Sequence, residues 1–402
     1  MEPIIKSITL KRFRSIPAET VMLDNPTFLV GANGSGKSSF VEVFAFLADA
    51  LSLSLPTAFS LRAGISSVRN RTSGKSYPPN LGIRIDLGSF DKKMQKGHYA
   101  FEVRALPNYG FEVVREQCFL QRVDGTTSWF DRSTKHGFQS NHPQLMPALD
   151  ISSLALPVIG GDIRFSPLLK FLSAMRVYSI EPAKLRELQD PDSGIILRTD
   201  GSNTASVLQE IERRSKNIQY INESLEQIVP HTKSVKAIKH GNKLSLEFVQ
   251  EWAKNKRLKF ESFNMSDGTL RALGLLVAVY QQPAPSLLVI EEPEATIHPG
   301  ALGAVLELIR TASERIQVIV TTHSPELLDA KWIEGRHLRI VSWQDGATHI
   351  NEVSEPARQA LKQHLMGAGE LLRANALEPD KLFNGAGPQN NIIQASLFEE
   401  LP

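Results

Sequence analysis

The sequence predicts an α/β fold: a mixed sheet flanked by helices, an antiparallel β subdomain and a small helical insert. Three observations predict it. A glycine-rich turn, Gly31 to Gly36, separates an apolar stretch from a run with helical spacing. Two short apolar runs, Ser286–Ile290 and Ile316–Val320, have the character of strands covered on both faces. Between these regions lie short stretches in which apolar and polar residues alternate.

The elements follow in order. Residues 4–10 and 19–30 read as strands, carried by Ile4, Ile5, Ile8, Leu10, Val21, Leu23, Phe28, Leu29 and Val30. Phe40, Val41, Val43, Phe44, Phe46 and Leu47 give a helix over 38–51. Residues 70–80, with Gly74, Pro78 and Pro79, read as a loop. Antiparallel strands are expected within 81–125, and residues 126–165 read as irregular. Residues 203–228 look helical and charged, and 233–260 look like a strand pair turning at Gly241-Asn242. A polar turn then opens an apolar helix over 265–280. A helix over 301–312 lies between the two apolar runs, and another is expected over 355–375. The last residues, with Gly385, Gly387 and Pro388, read as loop.

Composition excludes several classes. The chain has 402 residues, 42% hydrophobic and 22% charged, ordinary for a globular protein with a sizeable core. Net charge is +2, so any nucleic-acid contact must come from a local patch. Cys118 is the single cysteine, which excludes an internal disulfide framework and a cysteine-rich zinc site and fits a reducing cytoplasm. The first residues lack a signal-peptide pattern. No apolar run approaches the roughly 20 residues that span a bilayer, so no membrane association is expected.

The chemistry concentrates in four segments. Gly31-Ala32-Asn33-Gly34-Ser35-Gly36-Lys37-Ser38 matches the phosphate-loop pattern in full. Glycines let main-chain N–H groups curl around a phosphate without a side-chain clash. The following helix presents its positive end. Lys37 reaches the outer phosphates, the Ser38 hydroxyl ligates Mg²⁺, and Ser39 follows in the first turn. Ser286–Ile290 ends in Glu291 and Glu292, placed where ligands bind in such sheets. Glu291 is assigned to the metal and Glu292 to the attacking water. Ser266 and Gly268 open the helix of 265–280, and His323 follows the strand of 316–320. In isolation Ser266 is an ordinary N-cap and His323 an ordinary structural histidine.

In this order the four segments resemble the nucleotide-binding head of ABC-type ATPases, in the branch that holds SMC, RecF and OLD proteins. Leu10-Lys11-Arg12-Phe13-Arg14-Ser15 is similar to that branch's N-terminal motif, and Glu291-Glu292-Pro293-Glu294-Ala295-Thr296-Ile297-His298-Pro299 to its Walker B segment and D-loop. Residues 1–50 and 260–330 carry the resemblance. It implies that Arg14 and Ser15 lie near ATP and that His323 is the switch histidine. It also implies that Ser266 and Gly268 contact ATP held by a second subunit, so that ATP is sandwiched in a homodimer of heads, within a larger assembly if more heads join. Glu291 stands where many ABC proteins have Asp, and the Q-loop glutamine is not identifiable.

By that resemblance the expected organisation is a head over 1–350, with its core in 1–50 and 260–350. A β/helical lobe is inserted over 51–259, its helical part at 165–230, and 351–402 forms a C-terminal helix and flexible tail. The expected function is an ATP hydrolase acting as switch or scaffold. By resemblance it is the ATPase subunit of an antiphage module with a separate effector, a nuclease or toxin. The alternative is a RecF-like or SMC-like DNA-repair ATPase. Residues 231–261 hold Lys233, Lys236, Lys239, Lys243, Lys254, Lys256, Arg257 and Lys259 against Glu247, Glu251 and Glu261. This excess reads equally as a contact for DNA phosphates or as a solvated strand face.

Overall fold

The computed structural model describes residues 2–70, 80–108, 110–253, 256–380 and 396–401. The chain divides into two compact units. One holds Glu2–Met175, Arg336–Glu355 and Glu378–Pro402; the other holds Arg176–Gly335 and Pro356–Leu377.

The first unit opens with β1 (Ile5–Phe13), β2 (Ile16–Met22) and β3 (Thr27–Val30). Its helices are α1 (Lys37–Ser52), α2 (Leu55–Ser60) and α3 (Ile65–Val68). Then come β4 (Asn80–Leu87), β5 (Met94–Ala105), β6 (Phe111–Arg122), β7 (Thr127–Ser133) and β8 (Gly137–Ser140). Short helices α4 (Ala155–Ile159) and α5 (Ser166–Ser173) lead into β9 (Met175–Tyr178) at the boundary. The second unit continues with α6 (Pro182–Arg186), α7 (Thr204–Arg214) and α8 (Asn217–Ile228). Strands β10 (Thr232–His240), β11 (Lys243–Ala253) and β12 (Lys256–Glu261) follow, then α9 (Asp267–Tyr280), β13 (Leu287–Glu291), α10 (Leu302–Ser313) and β14 (Gln317–Thr322). Strands β15 (Leu338–Gln344) and β16 (Ala347–Asn351) return to the first unit. Finally α11 (Glu355–Lys362) and α12 (Ala368–Arg373) close the described helices.

The mixed α/β architecture agrees with the sequence. In the second unit β13 and β14 pair in parallel, with Leu288 opposite Val318 and Ile290 opposite Val320. Both are apolar because both faces are covered: Leu288, Val289, Val318 and Ile319 are fully buried. In the first unit β15 pairs in parallel with β3 and antiparallel with β16. The lobe sheet of the first unit is antiparallel, in the order β2-β1-β4-β5-β6-β7-β8, and so takes in β1 and β2 from outside the expected 51–259. Its inner face carries Ile83, Ile85, Tyr99, Phe101, Cys118, Leu120 and Phe130, all buried. Helix α1 packs Phe46 between Phe13 and Phe59, with centroids 5.7 and 5.1 Å away. Each such burial contributes roughly 1.5–3 kcal/mol.

Several expectations need correction. Residues 19–30 are not one strand: β2 belongs to the lobe sheet and β3 pairs with β15. Within residues 126–165 the elements β7, β8 and α4 form, while 141–154 and 160–165 are irregular as expected. In β7 the inward positions are Ser128, Phe130 and Arg132, so two of them hide behind polar residues. Arg132 donates to the main-chain oxygens of Asp150 and Ser153, and buried Glu116 accepts from Tyr99 Oη, Ala155 N and Leu156 N. Burial pushes the Glu116 carboxyl above its usual range. The helix of 203–228 breaks at Ser215, whose backbone is extended and whose hydroxyl accepts from Asn217 N. Residues 233–260 form three strands, β11 pairing with both β10 and β12. The helix of 355–375 is two, α11 and α12, separated by His364 with φ 54 and by Gly367. The loop expected over 70–80 and the tail over 381–395 lie outside the described residues. The end of the expected flexible tail is packed instead: Leu397 is 4% exposed. Among the described residues, no helix is long and apolar enough to cross a membrane.

Candidate active site

The phosphate loop begins where the buried strand β3 ends. Gly31 has no room for a side chain, since a Cβ there would lie 2.2 Å from the Val341 main-chain oxygen. Gly34 and Gly36 have φ 78 and 103, conformations that favour glycine. Gly36 is also the N-cap of α1, so the loop delivers the chain directly to a helix N-terminus. Lys37 is buried, and its ammonium donates to the main-chain oxygens of Gly31 and Ala32 at 2.8 and 3.1 Å. The lysine therefore arches over the loop it follows. Asn33, Gly34 and Ser38 are exposed, and Ser39 is half-buried. Ser35 Oγ is buried with no hydrogen-bond partner among the described residues. A loop with left-handed glycines, an orphaned hydroxyl and a cation folded over it fits a polyanion such as ATP.

Ser15, though not its neighbour Arg14, reaches this loop through a residue that the sequence did not single out. The Thr348 hydroxyl donates to the Ser35 main-chain oxygen at 3.1 Å and stands 2.7 Å from Ser15 Oγ. Thr348 N donates to Ser15 O at 2.9 Å. Arg14 has φ 47, a turn held by Arg14 N donating to Val68 O and by Asn70 Nδ2 donating to Arg14 O. Its guanidinium lies 3.8 Å from Glu42 of α1. Next to Thr348, His349 takes a 2.8 Å hydrogen bond with Glu19, which holds its imidazole above the usual range.

The carboxylates belong to the other unit. Glu291 is half-buried at the end of β13. Glu292 follows with φ 43, its N–H shared between Thr321 O and Oγ1, both at 3.1 Å. The Arg271 guanidinium of α9 donates to the Glu292 main-chain oxygen at 3.1 Å and to Ile180 O at 2.9 Å. Burial pulls the Arg271 pKa down, against the pull of Glu294 and Glu292. His323 Nδ1 stands 3.5 Å from Glu292 Oε1 and 3.7 Å from Glu294 Oε1. Glu294 is buried; its Oε1 accepts from the Thr322 hydroxyl at 2.6 Å and from His323 N at 3.2 Å. The structure thus brings Glu292 and His323 together and adds Arg271 and Glu294.

Ser266 is an exposed N-cap that accepts from Thr269 N at 3.2 Å. A Cβ on Gly268 would sit 2.7 Å from Thr296 O, so glycine is required where α9 meets the loop after Glu292. Arg186 donates to Met265 O and pairs with Asp267. The Ser38 hydroxyl and the Glu291 carboxylate are each oxygen donors of the hard kind that Mg²⁺ takes. Gln117 is buried in β6 and bonded to His98, Asp131 and Glu399. In the basic segment, Lys233, Lys236, Lys243, Arg257 and Lys259 each pair with a carboxylate, and Lys256 lies over the Trp252 ring. Lys254 lies outside the described residues. Thr348, Arg271 and Glu294 were missed as site residues. Only Glu294 carried a signal, the third acid of Glu-Glu-Pro-Glu.

Comparison with known proteins gives a family and a fold. Residues 27–329 match the family model described as AAA domain, putative AbiEii toxin, Type IV TA system. The Old nuclease of Escherichia phage P2 is 24% identical over 367 aligned positions, covering 81% of this chain. The chain spans 57% of that relative's length. Among solved structures, an SmcHead bound to the C-winged helix domain of ScpA matches with a TM-score of 0.55 at 16% identity, covering 88% of this chain and 99% of its own. A second is an Smc head domain with an extended coiled coil, bound to the C-terminal domain of ScpA, derived from Pyrococcus furiosus. It matches with a TM-score of 0.53 at 15% identity, covering 90% and 100%.

Proposed function

The chain belongs to the family described as AAA domain, putative AbiEii toxin, Type IV TA system, and from that premise we propose that ATP pairs two copies of it head to tail. It is an ATPase of the ABC, SMC and OLD type. The observation that best supports nucleotide binding, on which the pairing rests, is Lys37, buried over a loop whose Gly34 and Gly36 are left-handed.

In this reading residues 1–350 form the head. Asn33, Gly34, Ser35, Gly36, Lys37, Ser38 and Ser39 cradle the phosphates, with Arg14 and Ser15 beside them. Ser38 and Glu291 are the residues that would hold Mg²⁺, which would neutralise charge on the phosphate oxygens. Glu292 orients and deprotonates the attacking water, and His323, 3.5 Å from it, takes part in sensing the outer phosphate. Ser266 and Gly268 open α9, whose N-terminal end suits an anion supplied by the second copy.

The pair serves as the switch of an antiphage module with a separate effector protein, a nuclease or a toxin. The family description names a putative toxin of a type IV TA system, and the relative is a phage nuclease. A DNA-maintenance role would need the basic segment, and carboxylates already neutralise much of that segment. The test of the module is a native pull-down of the full chain from its own host. The reading expects a co-purifying nuclease or toxin; recovery of the chain alone overturns it.

A further inference from the structure

The outer face of the lobe sheet carries buried polar residues where a solvated strand face would be expected. Strand register places Gly82, Arg84 and Asp86 of β4 beside Glu102, Ala100 and His98 of β5, then Arg115, Gln117 and Phe119 of β6. These all point away from the core of Ile83, Tyr99, Phe101 and Cys118. Yet Arg84, His98 and Gln117 are 6%, 3% and 0% exposed. What covers them is the segment Ser396–Glu399, which returns after residues 381–395.

The cover is specific at each position. Leu397 fills the space over Gly82, where a Cβ would lie 2.1 Å from Leu397 Cδ1. Arg84 Nη1 donates to Leu397 O at 3.2 Å. The Phe398 ring lies under the Arg115 guanidinium at 4.5 Å. Gln117 grips the backbone of Glu399 from both sides: Nε2 donates to Glu399 O at 2.9 Å and Oε1 accepts from Glu399 N at 3.0 Å. The other capacity of that amide is used by Asp131 Oδ2 at 2.7 Å and His98 Nε2 at 3.0 Å. The Glu399 carboxylate pairs with Arg84 and lies 3.7 Å from His98 Nδ1. Asp86, His98 and Glu399 could by spacing hold a metal ion, but the Arg84 cation bonds both carboxylates and takes that place. A side-chain amide that reads a backbone, a glycine pocket for one aliphatic group, a cation over a ring and a cation for an acid make up a peptide site.

We infer that this face of the lobe is a recognition site for a short segment of aliphatic–aromatic–acidic chemistry, and that Leu397-Phe398-Glu399 fills it as a displaceable ligand. A partner protein presenting the same chemistry would bind by competing with this segment. The inference does not rest on the ATPase reading, because no residue of the phosphate loop or of the carboxylate group takes part.

The test uses the full chain and a fluorescent peptide of residues 396–402. In wild type the tethered segment competes at an effective concentration on the order of mM. In the double variant Leu397→Asp, Glu399→Lys the site is vacated. By fluorescence anisotropy the peptide should bind the vacated chain at least about tenfold more tightly than wild type, a difference of about 1.4 kcal/mol. A peptide carrying Glu399→Gln should lose most of that affinity. Equal binding to both chains, or none to the vacated one, overturns the inference. Hydrogen exchange on wild type gives an independent reading. The Glu399 amide should be protected by Gln117, and exchange at the free-chain rate overturns the docking.

Discussion

The Arg271 guanidinium donates to the main-chain oxygen of Glu292 at 3.1 Å, across 21 residues of sequence. Glu292 has φ 43, a conformation that costs a non-glycine residue on the order of 1–3 kcal/mol and persists only where neighbours hold it. Arg271 holds it from one side and Thr321 from the other. Arg271 is thus a positioning residue for the carboxylate proposed to act on water. Arg271→Met should leave ATP affinity within about threefold and lower kcat by about tenfold or more, the value of one hydrogen bond to a charged group. Partial recovery in Arg271→Lys separates positioning from a general loss of fold. Loss of kcat and affinity together would contradict the assignment.

Lys37 carries the phosphate reading. Lys37→Ala should weaken ATP binding by about 2 kcal/mol or more, a factor of roughly 30, by calorimetry. Gly36→Ala should do the same for a different reason. Its Cβ would meet Thr348 Oγ1 at 1.9 Å, and φ 103 disfavours any side chain. Unchanged binding in both variants would refute the loop assignment.

His349 predicts a pH dependence. Its hydrogen bond to Glu19 raises the folded-state pKa above the unfolded value near 6.5. The protonated pair therefore stabilises the fold fully below about pH 6.5, and that contribution fades as pH rises through the folded pKa. An NMR titration should place His349 above the usual histidine range, and Glu19→Gln should return it. A wild-type His349 that titrates at or below the usual value would contradict the pairing.

How much of this was legible follows from where each contact lies along the chain. Gly31 to Ser38 is contiguous, and each residue type has its own reason to be there. Glu291 and Glu292 were legible because a wholly buried strand ends at them. Thr348 was not, because it acts on Ser35 through a main-chain oxygen 313 residues away. A main-chain acceptor leaves no mark on residue type at either end. Arg271 escaped for the same reason: its acceptors are the oxygens of Ile180 and Glu292. Strand β7 escaped because Ser128 and Arg132 occupy inward positions that the alternation rule reserves for apolar residues. The packed Leu397 segment looked like tail because a glycine-rich stretch precedes it and its polar partners lie on three distant strands.

The central claim is ATP-dependent pairing of heads, and it is tested most directly by the solution mass of Glu292→Gln. This change removes the proposed base, which contributes about 10²–10⁴-fold to hydrolysis, and leaves the binding loop intact. Light scattering should give a monomer mass, or that of a fixed assembly, without nucleotide, and twice that mass with saturating Mg²⁺ and ATP. A mass that ATP leaves unchanged, in a variant shown by calorimetry to bind it, would contradict the claim.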